Sequence, residues 1–224
     1  MTTRRYGIYW APPADHPLWR AGCDWLGRDP ESGAAHAARP QRAAPRRYGF
    51  HATLKPPFAL RDGHTPAELD DALATLAAAL EPFALRPLRV DVLNDFVALR
   101  PCEPVDALHP LRALADACVR ELDPLRRPPG PAERARRGAV TLGEAERALL
   151  GRWGYPWVFE AWRFHMTLTD GLPPGPPRDA LLAEAADFFA PALAEPLRCD
   201  ALALFVEDAP GADFRLARRI PFGG

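Results

Sequence analysis

The chain is short of lysine, of serine and of paired cysteine, and each shortage removes a class of explanation. Lys55 is the only lysine, so the positive charge is almost wholly arginine. With 27 prolines and abundant alanine, that bias follows most simply from a GC-rich coding sequence, and arginine richness alone argues nothing about phosphate. Ser32 is the only serine and sits in an irregular stretch, which leaves a Ser-His-Asp triad without its nucleophile. Cys23, Cys102, Cys118 and Cys199 have no paired spacing and form neither a zinc pattern nor a disulfide framework. No run approaches the ~20 apolar residues that cross a bilayer, and Met1-Thr2-Thr3-Arg4-Arg5-Tyr6 lacks a signal core. The resulting expectation is a cytoplasmic protein with no membrane partner. The net charge of −1 asks for no polyanion either, so any phosphate recognition has to be local.

What is present is ordinary in bulk and unusual in one detail. The 224 residues, 48% hydrophobic and 25% charged, suit a globular chain of one large domain or two small lobes. The detail is a phrase that occurs twice, Phe50-His51-Ala52-Thr53-Leu54 and Phe164-His165-Met166-Thr167-Leu168, each time within a strand-like stretch. Side chains alternate along a strand, so His and Thr project together while Phe and Leu project the other way. Each copy offers an apolar face and a reactive face. A single copy is explained by strand preference for Thr and by a satisfied core histidine; two copies with the same flanks are not.

Elements repeat around the phrase. A first strand at Tyr6 to Trp10, a helix from about His16 to Gly27 and a loop from Arg28 to Arg47 lead to the first His strand. Thr65-Pro66-Ala67-Glu68 announces a helix to about Leu80 through its capping threonine, first-turn proline and acid three residues on. A hairpin, Leu88 to Leu93 and Phe96 to Arg100, turns at Asn94-Asp95. The second half repeats the order: a strand from Val158 to Thr169, a helix from about Arg178 to Ala190, then Leu197 to Glu207 paired with Phe214 to Ile220. Between them lie helices at about Val105 to Leu122 and Leu142 to Arg152, and a Pro- and Arg-rich loop from Arg126 to Arg137. The expectation is one bilobal domain over 1–224, with lobe 1 at about 1–103, a helical insertion at about 104–154 and lobe 2 at about 155–224.

Two histidines facing each other suit attack at phosphorus. One neutral imidazole takes a proton from the attacking hydroxyl while a protonated one gives a proton to the leaving oxygen, and each transfer is worth ~10²–10⁴ in rate. Thr53 and Thr167 can hydrogen-bond non-bridging oxygens whose charge grows in the transition state. The expected rate profile is bell-shaped near neutral pH. Metal is not expected: His16, His36, His64 and His109 form no ligand spacing, and neither His strand carries a carboxylate on its reactive face. No cofactor is expected.

The pair His51-Ala52-Thr53-Leu54 and His165-Met166-Thr167-Leu168 resembles the signature of the two-histidine (2H) phosphoesterases, one His-x-Thr/Ser-x motif per lobe. The longer stretches Tyr48 to Phe58 and Arg163 to Thr169 look like the branch found with bacterial phosphonate-utilisation genes. The resemblance implies an α+β fold of two pseudo-symmetric antiparallel lobes with outer helices around a central cleft. It also implies metal-independent hydrolysis of a cyclic phosphodiester or a 2′,5′-linked phosphate, with His51, Thr53, His165 and Thr167 as the catalytic set. A small ribosyl cyclic phosphate or phosphonate-derived ester is a sensible substrate by analogy.

Strand parity nominates further contacts. Lys55 shares the face of His51 and Thr53 and is a candidate for meeting a phosphoryl oxygen, while Arg163 shares the face of His165 and Arg47 that of His51, so either is a candidate for clamping a second anionic group bidentately. Tyr6 is a cleft candidate and Tyr48 a weaker one, since parity points Tyr48 to the core with Phe50. Two other functions remain open: an RNA end-processing esterase or 2′,5′ ligase using the Arg126 to Arg137 loop, and a non-catalytic nucleotide or phosphonate sensor. The oligomeric state is left open.

Overall fold

Aromatic and β-branched residues run from Tyr6 to Trp10 and stop at Ala11-Pro12-Pro13, and the computed structural model makes this strand β1 (Arg5–Trp10). The structure describes residues 4–130 and 141–223. After β1 come α1 (Pro17–Leu26), α2 (Ala43–Tyr48), β2 (Ala52–Phe58), α3 (Pro66–Ala78), β3 (Phe83–Ala84), β4 (Leu88–Leu93) and β5 (Phe96–Pro101). Then follow α4 (Pro110–Glu121), α5 (Glu144–Trp153), a 3-10 turn (Phe159–Ala161), β6 (Met166–Thr167), α6 (Pro176–Leu193), β7 (Arg198–Cys199), β8 (Ala201–Glu207) and β9 (Arg215–Pro221).

The architecture is α+β and antiparallel. One sheet has the order β2-β1-β8-β9, a second the order β4-β5-β6, and β3 pairs with β7. Helix starts follow their caps. Thr65 and Glu68 form the capping box ahead of α3, and the His16 and His109 imidazoles accept from backbone N–H groups ahead of α1 and α4.

The division into consecutive lobes at 1–103 and 155–224 does not describe the sheets. The C-terminal hairpin β8-β9 joins β1 and β2, whereas the N-terminal hairpin β4-β5 joins β6. The helices follow the same exchange: α3 packs on β9, and α6 packs on β4 and β5. Each half lends its hairpin to the other half's His segment, so the two sheets share one core, running from Ile8, Trp10 and Leu54 to Val97, Leu99, Met166 and Leu168. Burying both apolar faces in common fixes the sheets against one another. Nor is the region 104–154 only an insertion, because α4 covers β2 and packs on α3 as an outer helix of the first sheet.

Two further elements depart from expectation. The stretch Arg28 to Arg47 contains helix α2, whose start is held by Asp170: its carboxylate accepts from Ala43 N at 3.0 Å and Ala44 N at 2.8 Å. The strand expected from Val158 to Thr169 is instead a 3-10 turn and a two-residue strand. Phe159 at φ 50° breaks the extended run.

Candidate functional site

On β1, the alternation Arg5, Gly7, Tyr9 forms one face, and Thr53 on β2 lies opposite Tyr9. His51, just before β2, stacks on Tyr9 with ring centroids 3.7 Å apart and planes 20° apart. That close layer depends on Gly7, where an added Cβ would meet Tyr9 Cζ at 2.4 Å. His51 Nδ1 donates to the Gly49 carbonyl at 2.9 Å, since a carbonyl only accepts, and this leaves Nε2 unprotonated in the neutral ring, 3.2 Å from Thr53 Oγ1. Gly49 itself holds φ 80°, a conformation a side chain resists.

The second motif is held by the same device. His165 Nδ1 donates to the Arg163 carbonyl at 2.8 Å, again two residues upstream, which frees its Nε2. Its ring lies 5.7 Å from Phe96. Thr167 pairs with Ala98 across β5-β6, and buried Thr169 accepts from Val97 N at 3.0 Å to extend that edge.

His51, Thr53, His165 and Thr167 line one open cleft of about 1030 Å³, together with Arg5, Tyr9, Arg47, Tyr48, Phe96, Arg127 and Tyr155. Desolvation lowers both imidazoles below the usual histidine value. For His51 the Gly49 carbonyl opposes the effect and the charge of His165 adds to it, bringing the ring to about 4. For His165 the Arg163 carbonyl opposes it and Arg100 adds to it. The charge of His165 is therefore felt by His51.

Two indoles align the motifs crosswise. Trp162, three residues before His165, donates Nε1 to the Thr53 carbonyl at 2.8 Å. Trp25 of α1, ahead of the first motif, donates Nε1 to the Leu168 carbonyl at 2.9 Å.

Comparison with known proteins assigns the chain. The family described as "Protein of unknown function (DUF1045)" matches residues 53–215. The chain belongs to the DUF1045 family. It is similar to the ribose 1,5-bisphosphate phosphokinase PhnN of Janthinobacterium sp. (strain Marseille), 40% identical over 98% of this chain and 51% of that protein. A second PhnN, from Laribacter hongkongensis (strain HLHK9), is 42% identical over 96% of this chain and 51% of its own. The chain thus spans about half the length of the curated relatives it matches. Among solved structures, E. coli LigT in apo form aligns at TM-score 0.45 with 15% identity over 99% of both chains. LigT complexed with 3′-AMP aligns at 0.43 with 15% identity over 98% of both. The resemblance to two-histidine phosphoesterases rests on the paired motifs of this DUF1045 chain.

The contacts nominated by parity divide. Arg47 lines the cleft, donating to Gly211 O at 3.2 Å and pairing with Glu207. Tyr48 also lines it, against the parity argument, because it ends helix α2 and stacks on Phe214 at 5.0 Å. Lys55 does not reach it. Between Ile8 and Tyr9 the strand β1 advances one residue while β2 moves two, from Lys55 to Thr53, and this bulge turns Lys55 to the opposite face. There it is buried, donates to Val119 O at 3.1 Å and lies 4.0 Å from Asp123; burial pushes its amine down to about 8, which Asp123 opposes. Arg163 also lies outside the cleft, because residues 163–165 are not strand: its Nη1 donates to the carbonyls of Glu160 and Trp162 at 2.7 and 2.8 Å. Tyr6 faces the core beside Phe58, on the side of β1 away from Tyr9.

Sequence reasoning missed Tyr9 and Arg5 as cleft residues. The signal for Tyr9 was Gly7, a strand glycine two residues away on the same face, which marks a close approach. In the arginine loop, Arg126 pairs with Asp123 at 2.7 Å and Arg127 lines the cleft, while 131–137 lie outside the described residues. Among the described residues, no group of three or more His, Cys, Asp or Glu is placed to hold a metal ion, and no helix is long and apolar enough to cross a membrane.

Proposed function

We propose that this chain is a two-histidine phosphodiesterase that opens a small cyclic phosphodiester without metal. The observation that carries the reading is that both His-x-Thr motifs, from interleaved sheets, line one cleft, each imidazole Nδ1 fixed by the carbonyl two residues upstream. That arrangement leaves two Nε2 atoms for the reacting proton positions.

His51 is the base and His165 the acid. His51, whose ring is neutral above about pH 4, accepts a proton at Nε2, and His165 takes the acid's part across the cleft. Water attacks phosphorus as His51 takes its proton; the new P–O bond forms, the ring P–O bond breaks, and His165 protonates the departing oxygen. The product is a phosphate monoester beside a free hydroxyl. Thr53 and Thr167 donate to the non-bridging oxygens. An anion between the rings raises the proton affinity of both, offsetting the desolvation that lowers it in the free protein.

The curated relatives' name, ribose 1,5-bisphosphate phosphokinase, supports a ribose phosphate as the sugar, and the phosphonate-associated resemblance of the motifs supports that setting. The kinase itself is not read into this half. The only lysine is followed by Pro56, so the chain has no G-x-x-x-x-G-K-[ST] phosphate loop.

The test is hydrolysis of ribose cyclic phosphate followed by phosphorus NMR, with EDTA present. Ring opening that survives EDTA is expected. A second arm uses a p-nitrophenyl phosphodiester, whose leaving group needs no proton: His165→Ala should retain much more activity on it than His51→Ala. The reverse ranking would exchange the two roles, and no turnover of any cyclic phosphodiester would remove the function.

A further inference from the structure

The cleft has a second charged end that the hydrolytic chemistry does not use. Arg5 on β1 and Arg47 at the close of α2 both line it, and both are tied to Glu207 on β8. The Glu207 side chain is wholly buried; one oxygen takes Arg5 Nε, the other takes Arg47 Nη2 and Gly211 N, the latter at 3.0 Å. One carboxylate serves two guanidiniums, so the cluster keeps a net positive charge. Arg5 and Arg47 side chains retain 22% and 26% of their exposure. Their remaining terminal nitrogens, both on Arg5 and Nη1 on Arg47, make no hydrogen bond among the described residues. Aromatic faces hold the two planes: Arg47 Cζ lies 5.0 Å from the Tyr48 ring centroid, and each guanidinium lies 5.6 Å from that of Phe214.

A polar atom lies between this cluster and the histidines. Among the described residues, buried Tyr9 Oη has no hydrogen-bond partner, although Tyr9 lines the cleft, and a Cβ added to Gly7 would meet it at 2.5 Å. Arg5, Gly7 and Tyr9 occupy alternate positions on one strand face, so the hydroxyl reaches over Gly7 in the direction of Arg5. At the near end Tyr9 carries His51, and the Tyr48 ring centroid is 6.4 Å from that of His51. The row of arginines, lone hydroxyl and imidazole is laid out for a small sugar with an anion at each end.

We propose that Arg5 and Arg47 form a second anion subsite, which takes the terminal phosphate monoester of a pentose whose cyclic phosphodiester lies between the histidines. The cyclic part of that substrate rests on the function proposed above; the subsite does not. Glu207 acts as a positioning residue, holding two guanidinium forks at one point. Tyr9 Oη donates to a sugar or bridging oxygen between the ends.

Calorimetry of the full chain with ribose 5-phosphate and with ribose tests the subsite apart from turnover. The expected result is binding of ribose 5-phosphate at least about tenfold tighter than ribose, a preference that survives in His165→Ala and weakens about tenfold in Arg47→Gln and Arg5→Gln. Arg47→Lys, which keeps charge but not the fork, should fall between. No preference for ribose 5-phosphate would overturn the subsite, as would a preference lost in His165→Ala and kept in both arginine variants. A cluster that only braces the fold would lower the melting temperature of Arg47→Gln and leave the preference intact, which also overturns it. Turnover then separates the two ideas. If ribose 1,2-cyclic phosphate and its 5-phosphate are opened with equal kcat/KM, hydrolysis stands and the subsite falls. If neither is opened while the binding preference holds, the subsite stands and the hydrolytic reading falls.

Discussion

The Trp162 indole donates to the Thr53 carbonyl at 2.8 Å and so fastens the approach to the second motif onto the first. Trp25 returns the favour at Leu168, and neither indole touches a reacting atom. Removing one such bond costs about 1 kcal/mol of stability, but the larger effect falls on alignment, where small displacements are expensive. Trp162→Phe is expected to lower kcat/KM about tenfold with a modest drop in melting temperature. Unchanged kinetics with the same drop would show that the tie serves stability alone.

Tyr9 supports His51 and carries an orphan hydroxyl, so its two parts separate by mutation. Tyr9→Phe keeps the stack and relieves a buried polar group, a change worth about 1–3 kcal/mol in favour of folding. The expected outcome is a higher melting temperature together with a higher KM for the sugar substrate. Thermal unfolding and steady-state kinetics on one preparation check both signs.

Lys55→Met tests the bulge. A lysine on the catalytic face would cost orders of magnitude when removed, whereas one buried beside Val119 and Asp123 should not touch the chemistry. Turnover within about threefold of the parent is expected, because Asp123 keeps its ion pairs with Arg126 at 2.7 Å and Arg152 at 3.5 Å and is not left uncompensated when the amine is removed. A loss of about 10² or more would place the amine back at the phosphate.

The pH dependence follows from the direction of the histidine shifts. Turnover needs His51 neutral and His165 protonated, and in the free protein the first holds above about pH 4 while the second fails before the ordinary 6.5. The kcat/KM profile, which reports the free enzyme, should rise through about pH 4 and fall before pH 6.5, acid of the neutral optimum the sequence suggests. The kcat profile should lie at higher pH, because bound phosphate favours the charged rings. Stability follows the same groups: the unfolded chain takes protons the folded rings refuse, so melting temperature should fall as pH drops from 6.5 toward 4. A kcat/KM still climbing above pH 7 would contradict the assignment.

The four motif residues were legible because a repeated pentapeptide survives any arrangement of the strands that carry it. The helix at Pro66 was legible from its capping threonine, first-turn proline and Glu68. The exchange of hairpins between halves was not, since strand pairing is decided by long-range packing that no local pattern records. Parity failed where strands were not regular: a bulge reversed Lys55, and a 3-10 turn put Arg163 off any strand. Arg5 stayed hidden because its meaning depends on Glu207, which is distant in sequence and paired to it only across β1 and β8.

The most direct test of the account is a mutant cycle on ribose cyclic phosphate with His51→Ala, His165→Ala and the double variant. Two rings acting on one phosphate predict that each single change lowers kcat by about 10² or more and that the double variant is far less impaired than the product of the two. A double variant that turns over at the parent rate, or losses that simply multiply, would contradict a shared catalytic centre.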